Sequence, residues 1–329
     1  MTRAFEASAS RRRARRGDHR TRRPIRHATL AALATAVFAL AGCSAAAGSG
    51  GPDQPQIVVT TNILGDVVGE VVGDQAEVTT LMRANADPHS FEISAQEAAM
   101  LGDADLIVSS GLGLEEGLQQ HLDRAAGAGA PLLVAGDAVE ALPYTSGDTA
   151  GAPDPHFWTD PGTMIDVVDA IEVSASEIDG IDRTKLAEHA DAYREELRTL
   201  DAEMTSAFEA IPQERRALVT NHHVFGYLAE RYGFRVVGAA IPGGTTLAAP
   251  SAADLRELSD AITRAGVSTI FAESSQPDRL VQVLASEADI DVRVEELYTE
   301  SLTGPGEGAE TYLEMMRANT ARISEGLTK

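Results

Sequence analysis

The sequence predicts an α/β fold of two lobes, each a mainly parallel sheet flanked by helices, joined by a long helical spine that leaves a ligand cleft between them. Three observations predict it. Short apolar strands alternate with helical segments from Ile57 to Val134. From about Pro161 to Ala210 no convincing strand occurs, and apolar residues recur at threes and fours. The strand–helix alternation then resumes at Ala217. Such alternation builds a parallel sheet covered by helices, and ligands of such sheets sit near the C-terminal ends of the strands.

The elements follow in order. Ile57 to Thr61 reads as a buried strand, and Ile63 to Val72 as a helix that Gly73 ends. Ala76 to Met82 is a second strand. Ser94 and Glu97 have capping-box spacing ahead of the apolar run Ala98 to Leu101. Leu106 to Ser109 and Pro131 to Val134 are two further short strands. The spine repeats Leu186, Tyr193, Leu197, Leu200 and Met204 at helical spacing. Beyond it come the strand Ala217 to Thr220, a helix through Tyr232 and Gly233, and the strand Phe234 to Val237. Ser251 and Asp254 cap another helix, which stops at Gly266; Val267 to Ala272 is a strong strand, and a helix from about Glu310 to Ile323 closes the chain. The expected division is 56–160 for the N-terminal lobe, 161–212 for the connecting helices and 213–329 for the C-terminal lobe.

Residues 1–42 read as an export signal. A basic stretch from Arg11 to Arg26 precedes an apolar run of about 13 residues, which is too short to span a bilayer as a mature helix. Leu40-Ala41-Gly42-Cys43 then places small residues before a cysteine, as in a bacterial lipobox, with 43–55 as a lipidated Cys43 and a flexible tether. Cys43 is the only cysteine, which excludes an intramolecular disulfide and a thiolate metal cluster. Ten arginines against Glu6 and Asp18 give residues 1–42 a charge of +8; the whole chain is at −23, so the rest carries −31. A body that acidic repels phosphate backbones, so nucleic acid is not an expected partner.

Six histidines lie beyond the signal: His89, His121, His156, His189, His222 and His223. Two share a tripeptide, Asp87-Pro88-His89 and Asp154-Pro155-His156. Proline fixes φ and holds the preceding Asp extended, so each His is presented from a stiff loop, which lowers the entropy lost on binding an ion. His222 follows the strand Ala217 to Thr220 at the strand-to-helix junction. Only one of His222 and His223 can face the cleft from a helix start, and His222 is the choice. His121 and His189 lie in polar helical contexts and read as surface residues. A carboxylate is still needed; Glu273, at the end of Ile270-Phe271-Ala272, and Glu300, in Tyr298-Thr299-Glu300-Ser301, both qualify, and spacing does not decide between them.

These residues resemble the cluster A-I, TroA-like solute-binding lipoproteins of zinc and manganese ABC transporters, over the whole chain beyond the signal. Val58 to Asn62 with Ile63-Leu64-Gly65-Asp66 is similar to the family's opening strand and helix. Asp87 to Glu92, Asp154 to Pro161 and His222 to Leu228 are similar to its first three ligand segments, and Tyr298 to Leu302 falls where its last carboxylate, normally Asp, lies. The resemblance implies His89 and His156 from one lobe and His222 and Glu300 from the other as metal ligands in the interlobe cleft. It implies Glu273 on a strand that usually serves structure or supports the ligands. Glu300 in place of Asp is a departure, and its longer arm bears on denticity. The long His-rich acidic loop of many zinc-specific members is absent, since Pro143 to Pro153 is short and without His.

Three imidazoles and one carboxylate form a borderline-soft set that Zn2+ accepts in tetrahedral geometry. Mn2+, the second choice, prefers more oxygen ligands and lies low in the Irving–Williams order. The expected function is a binding lipoprotein, anchored to the outer face of the cell membrane through Cys43, monomeric, and delivering zinc to an ABC permease. A zinc hydrolase is the contrasting expectation: His89, His156 and His222 would leave a coordination position open, with Glu273 as base. The chain shows no His-Glu-x-x-His motif.

Overall fold

The computed structural model describes residues 54–145, 149–241, 243–275, 279–287 and 292–328. The signal segment, Cys43 and the tether up to residue 53 lie outside the described residues.

The first lobe is a four-stranded parallel sheet in the order β2-β1-β3-β4. Its strands are β1 (Gln56–Val59), β2 (Glu77–Thr80), β3 (Leu106–Ser109) and β4 (Leu132–Val134). Helices α1 (Asn62–Val72), α2 (Ala95–Asp103) and α3 (Gln119–Gly127) connect them. β1 and β3 are the central strands, buried almost throughout, which is why both read as continuous apolar runs. Both capping contacts of α2 are present: Ser94 Oγ accepts from Glu97 N at 3.2 Å, and Glu97 Oε2 accepts from Ser94 N at 2.6 Å.

The spine is two helices, α4 (Pro161–Ala175) and α5 (Arg183–Glu209). Asp160 caps α4 by accepting from Gly162 N at 2.7 Å, with Pro161 at the first helical position, where its missing N–H costs nothing. Asp182 caps α5 by accepting from Thr184 N at 2.9 Å. With 27 residues α5 is about 40 Å long. It buries one stripe, Leu186, Ala190, Tyr193, Leu197, Leu200, Met204 and Phe208, against α1, α4 and the last helix, α9 (Tyr312–Thr328).

The second lobe contains β5 (Ala217–Thr220), α6 (Gly226–Tyr232), β6 (Arg235–Ala239), α7 (Ala252–Ala265), β7 (Thr269–Glu273), α8 (Arg279–Glu287) and β8 (Arg293–Leu297). Here the structure refines the expectation of one sheet per lobe. Among the described residues the strands form two parallel pairs, β5-β6 and β7-β8, with β5 beside β7. The β5-β6 register slips between Leu218 and Val219. Gly266 ends α7 in the left-handed region at φ +62°, which a residue with a Cβ adopts only with strain.

A single apolar cluster runs from β1 and α1 through the spine to Leu218, Phe271 and Tyr312, so both lobes share one core. A second cluster joins α7, packed on β6, and α8, packed on β7 and β8, with Ala217 and Val219 of β5. The loops that leave β5 and β8 therefore open toward the loops carrying the two Asp-Pro-His segments.

Candidate metal centre

Each Asp-Pro-His segment folds the same way. The Asp87 carboxylate accepts from His89 N at 2.9 Å, and the Asp154 carboxylate accepts from His156 N at 3.0 Å. An aspartate that bonds the backbone two residues on closes an Asx turn. The stiffness of the segment thus comes from the carboxylate as well as from the proline. The aspartates then diverge. Asp154 Oδ1 also lies 2.7 Å from His156 Nδ1, whereas Asp87 Oδ2 accepts from Ser90 Oγ at 3.0 Å and from Thr246 Oγ1, across the cleft, at 2.6 Å.

His222 stands two residues past β5, in the loop before α6 and not on the helix itself. Thr220 Oγ1 donates to its carbonyl at 2.6 Å. Glu273, the last residue of β7, accepts from His222 N at 3.0 Å and meets His222 Nδ1 at 2.6 Å. Glu300 follows β8 and is held between fixed neighbours, for Trp158 Nε1 donates to the Thr299 carbonyl at 2.8 Å.

His89, His156, His222 and Glu300 come together, all buried, with one ligand atom from each within 4.8 Å of the others. Glu300 Oε1 lies 2.9 Å from His89 Nε2 and 3.3 Å from the Nε2 atoms of both His156 and His222. His156 Nε2 is 3.4 Å from His89 Nε2 and 3.2 Å from His222 Nε2. When the Nδ1 protons of His156 and His222 are shared with carboxylates, lone pairs remain on Nε2. Two such lone pairs, the His89 Nε2 and a carboxylate then face one point, an arrangement that repels itself unless a cation or protons occupy the centre. Among the described residues neither Glu300 oxygen has a well-aligned hydrogen-bond donor, although Oε1 is within contact distance of three nitrogens. Short distances without donor geometry are what convergent lone pairs produce.

The titration of these groups reflects the same crowding. Burial pushes the His222 imidazolium down, but the Glu273 and Glu300 carboxylates overcome it and hold its pKa well above the ordinary value. His156 is also raised, burial being outweighed by Asp154 and Glu300. Burial pushes Glu300 up, yet the three imidazoles keep it well below the usual carboxylate range. Without a metal, protons on the imidazoles supply the balancing charge.

Of the two candidate carboxylates, Glu300 reaches the centre and Glu273 stands behind His222. His223 turns away into a separate cavity of about 350 Å³ that Leu142, Asp154 and Phe234 also line; burial, then the nearby His222, lowers its pKa. His121 and His189 are half-buried and do not join the four. Sequence reasoning left out the turn-forming roles of Asp87 and Asp154, although an aspartate two residues before each His was the available signal. The Trp158 indole contact had no local signal.

Among known proteins, the chain is 31% identical over 318 residues to the manganese-binding lipoprotein MntA of Bacillus subtilis, covering 92% of this chain and all of that one. It is 28% identical over 308 residues to the manganese ABC transporter substrate-binding lipoprotein PsaA of Streptococcus pneumoniae, covering 91% and 98%. In solved structures, the periplasmic zinc-binding protein TroA of Treponema pallidum aligns with a TM-score of 0.76 at 28% identity, over 83% of this chain and 99% of that one. Fold and likeness together define a metal-binding solute-binding protein of an ABC transporter. Residues 57–326 match the family described as zinc-uptake complex component A, periplasmic, and the chain belongs to that family. Its members are binding components of importers, not enzymes, which removes the hydrolase expectation.

Proposed function

We propose that this protein is an exported lipoprotein, anchored through Cys43, that captures zinc with His89, His156, His222 and Glu300 and delivers it as a monomer to an ABC permease. The observation that carries the reading is the mutual spacing of the four ligand atoms. Four ligands bonded to Zn2+ at about 2.0–2.1 Å in a tetrahedron lie roughly 3.3 Å from one another. The five spacings given above run from 2.9 to 3.4 Å. The donor set, three nitrogens and one oxygen, favours zinc over manganese at equal supply. The basic stretch and apolar run ahead of Cys43, with small residues just before it, support export and anchoring. The core shared by both lobes favours small opening movements over a wide hinge.

A manganese-binding reading is the second one. The relatives MntA and PsaA are named for manganese, and Glu300 could offer its second oxygen to a metal that takes more than four ligands. Elemental analysis of protein purified without added metal, followed by zinc–manganese competition, separates the two. One tightly held zinc that manganese fails to displace supports the first reading. An unchanged zinc affinity in His222→Ala removes that residue from the ligand set.

A further inference from the structure

Glu300 belongs to the C-terminal half of the chain, yet its loop is fastened to the N-terminal lobe. Asn62, the first residue of α1, reaches it with both ends of its side-chain amide. Its Oδ1 accepts from Leu302 N at 2.9 Å, and its Nδ2 donates to Ser301 Oγ at 2.8 Å. The same Nδ2 also donates to the Arg83 carbonyl at 3.2 Å, which fixes the amide's orientation within its own lobe. Asn85 N donates to the Leu302 carbonyl at 3.0 Å, completing the attachment. On the other side of Glu300, the Thr299 carbonyl is held by Trp158. Glu300 is thus suspended between two anchored peptides.

This suspension matters more for Glu than for Asp. A glutamate carboxylate stands one more rotatable bond from the backbone, so a small shift of the loop displaces the oxygen further and frees more rotamers. We propose that Asn62 is a positioning residue for Glu300: by clamping the two residues after it to the N-terminal lobe, it sets where the carboxylate meets the ion. The proposal rests on the reading of Glu300 as a ligand.

The test is a double-mutant cycle read by zinc competition with a chromogenic chelator, using unmodified protein, Asn62→Ala, Glu300→Ala and the double variant. Groups that orient a metal ligand change affinity by about 10- to 100-fold when removed. Asn62→Ala is expected to weaken zinc binding within that range and to move the visible spectrum of the Co2+-loaded protein toward that of Glu300→Ala. Added to Glu300→Ala, it should cause no further loss. Ser301→Ala, which leaves α1 untouched, should give a smaller loss that also vanishes without Glu300, and it carries the cycle if Asn62→Ala does not fold. An equal loss in both backgrounds, or an unchanged cobalt spectrum, overturns the clamp alone. An unchanged affinity in Glu300→Ala overturns the ligand reading and the clamp with it.

Discussion

Glu273 Oε1 lies 2.6 Å from His222 Nδ1 and accepts from the backbone N–H of the same residue at 3.0 Å, so one carboxylate oxygen fixes both the ring and the main chain of His222. Asp154 does the same for His156 from within its own tripeptide. Two imidazoles are therefore aimed by carboxylates that stand behind them, one local in sequence and one 51 residues away.

The Glu273→Ala substitution should lower zinc affinity by about 10- to 100-fold, the usual cost of losing a group that orients a metal-bound imidazole. Chelator competition on the folded variant measures this. No change in affinity would show that His222 is aimed by its loop alone.

Asp154→Ala should cost at least as much, because it removes the Asx turn and the partner of Nδ1 together. Asp87→Ala removes a turn and the bond from Thr246 but no contact to the His89 ring, and His89 Nδ1 has no hydrogen-bond partner among the described residues. Its effect on zinc affinity should be the smaller of the two, and calorimetric titration of both variants decides it.

Zinc binding should release protons at neutral pH and weaken as the pH falls. The metal-free forms of His156 and His222 hold their protons more tightly than ordinary imidazoles, so protons compete with metal from above the usual His pKa downward. Calorimetry in two buffers of different ionisation enthalpy reads the protons released; an identical heat in both contradicts the scheme.

Asp66 gives a separate pH effect on stability. Burial, with Glu70 and Glu314 nearby, pushes its pKa up to about 6, against the hydrogen bond from Tyr312 N at 2.8 Å. Between about pH 4 and 6 the folded chain keeps a proton that the unfolded chain has lost. This contribution to stability is therefore full below pH 4 and lost as the pH rises through 6. On metal-free protein the Asp66→Asn variant should gain, relative to unsubstituted protein, on the order of 2–3 kcal/mol on going from pH 4 to pH 7. Urea unfolding at the two pH values tests it, and parallel profiles for the two proteins would exclude it.

Leu197 is fully buried at the middle of the α5 stripe, within the core that both lobes share. Leu197→Ala should destabilise the metal-free protein by about 2–5 kcal/mol while zinc stoichiometry stays unchanged. Denaturant unfolding with a parallel zinc titration measures both.

Local chemistry alone settled much of this protein. Hydrophobic period marked seven of the eight described strands and the spine but missed β8, whose Arg293-Val294-Glu295-Glu296-Leu297 carries little apolar signal. The boxes Ser94–Glu97 and Ser251–Asp254 marked helix starts, because capping acts within four residues. The two Asp-Pro-His tripeptides and the placement of His222 just past a strand were legible for the same reason, whereas its position in a loop and not at a helix start was not. What lay out of reach was settled by contacts between distant segments. Which glutamate enters the centre depends on β7 lying beside β5 and on Asn62 meeting a loop some 240 residues away. The division of the second lobe into two strand pairs is likewise a matter of how strands meet across the lobe, not of any one strand's composition. Periodicity and capping are properties of a few neighbouring residues, whereas the aim of a carboxylate is a property of the packed whole.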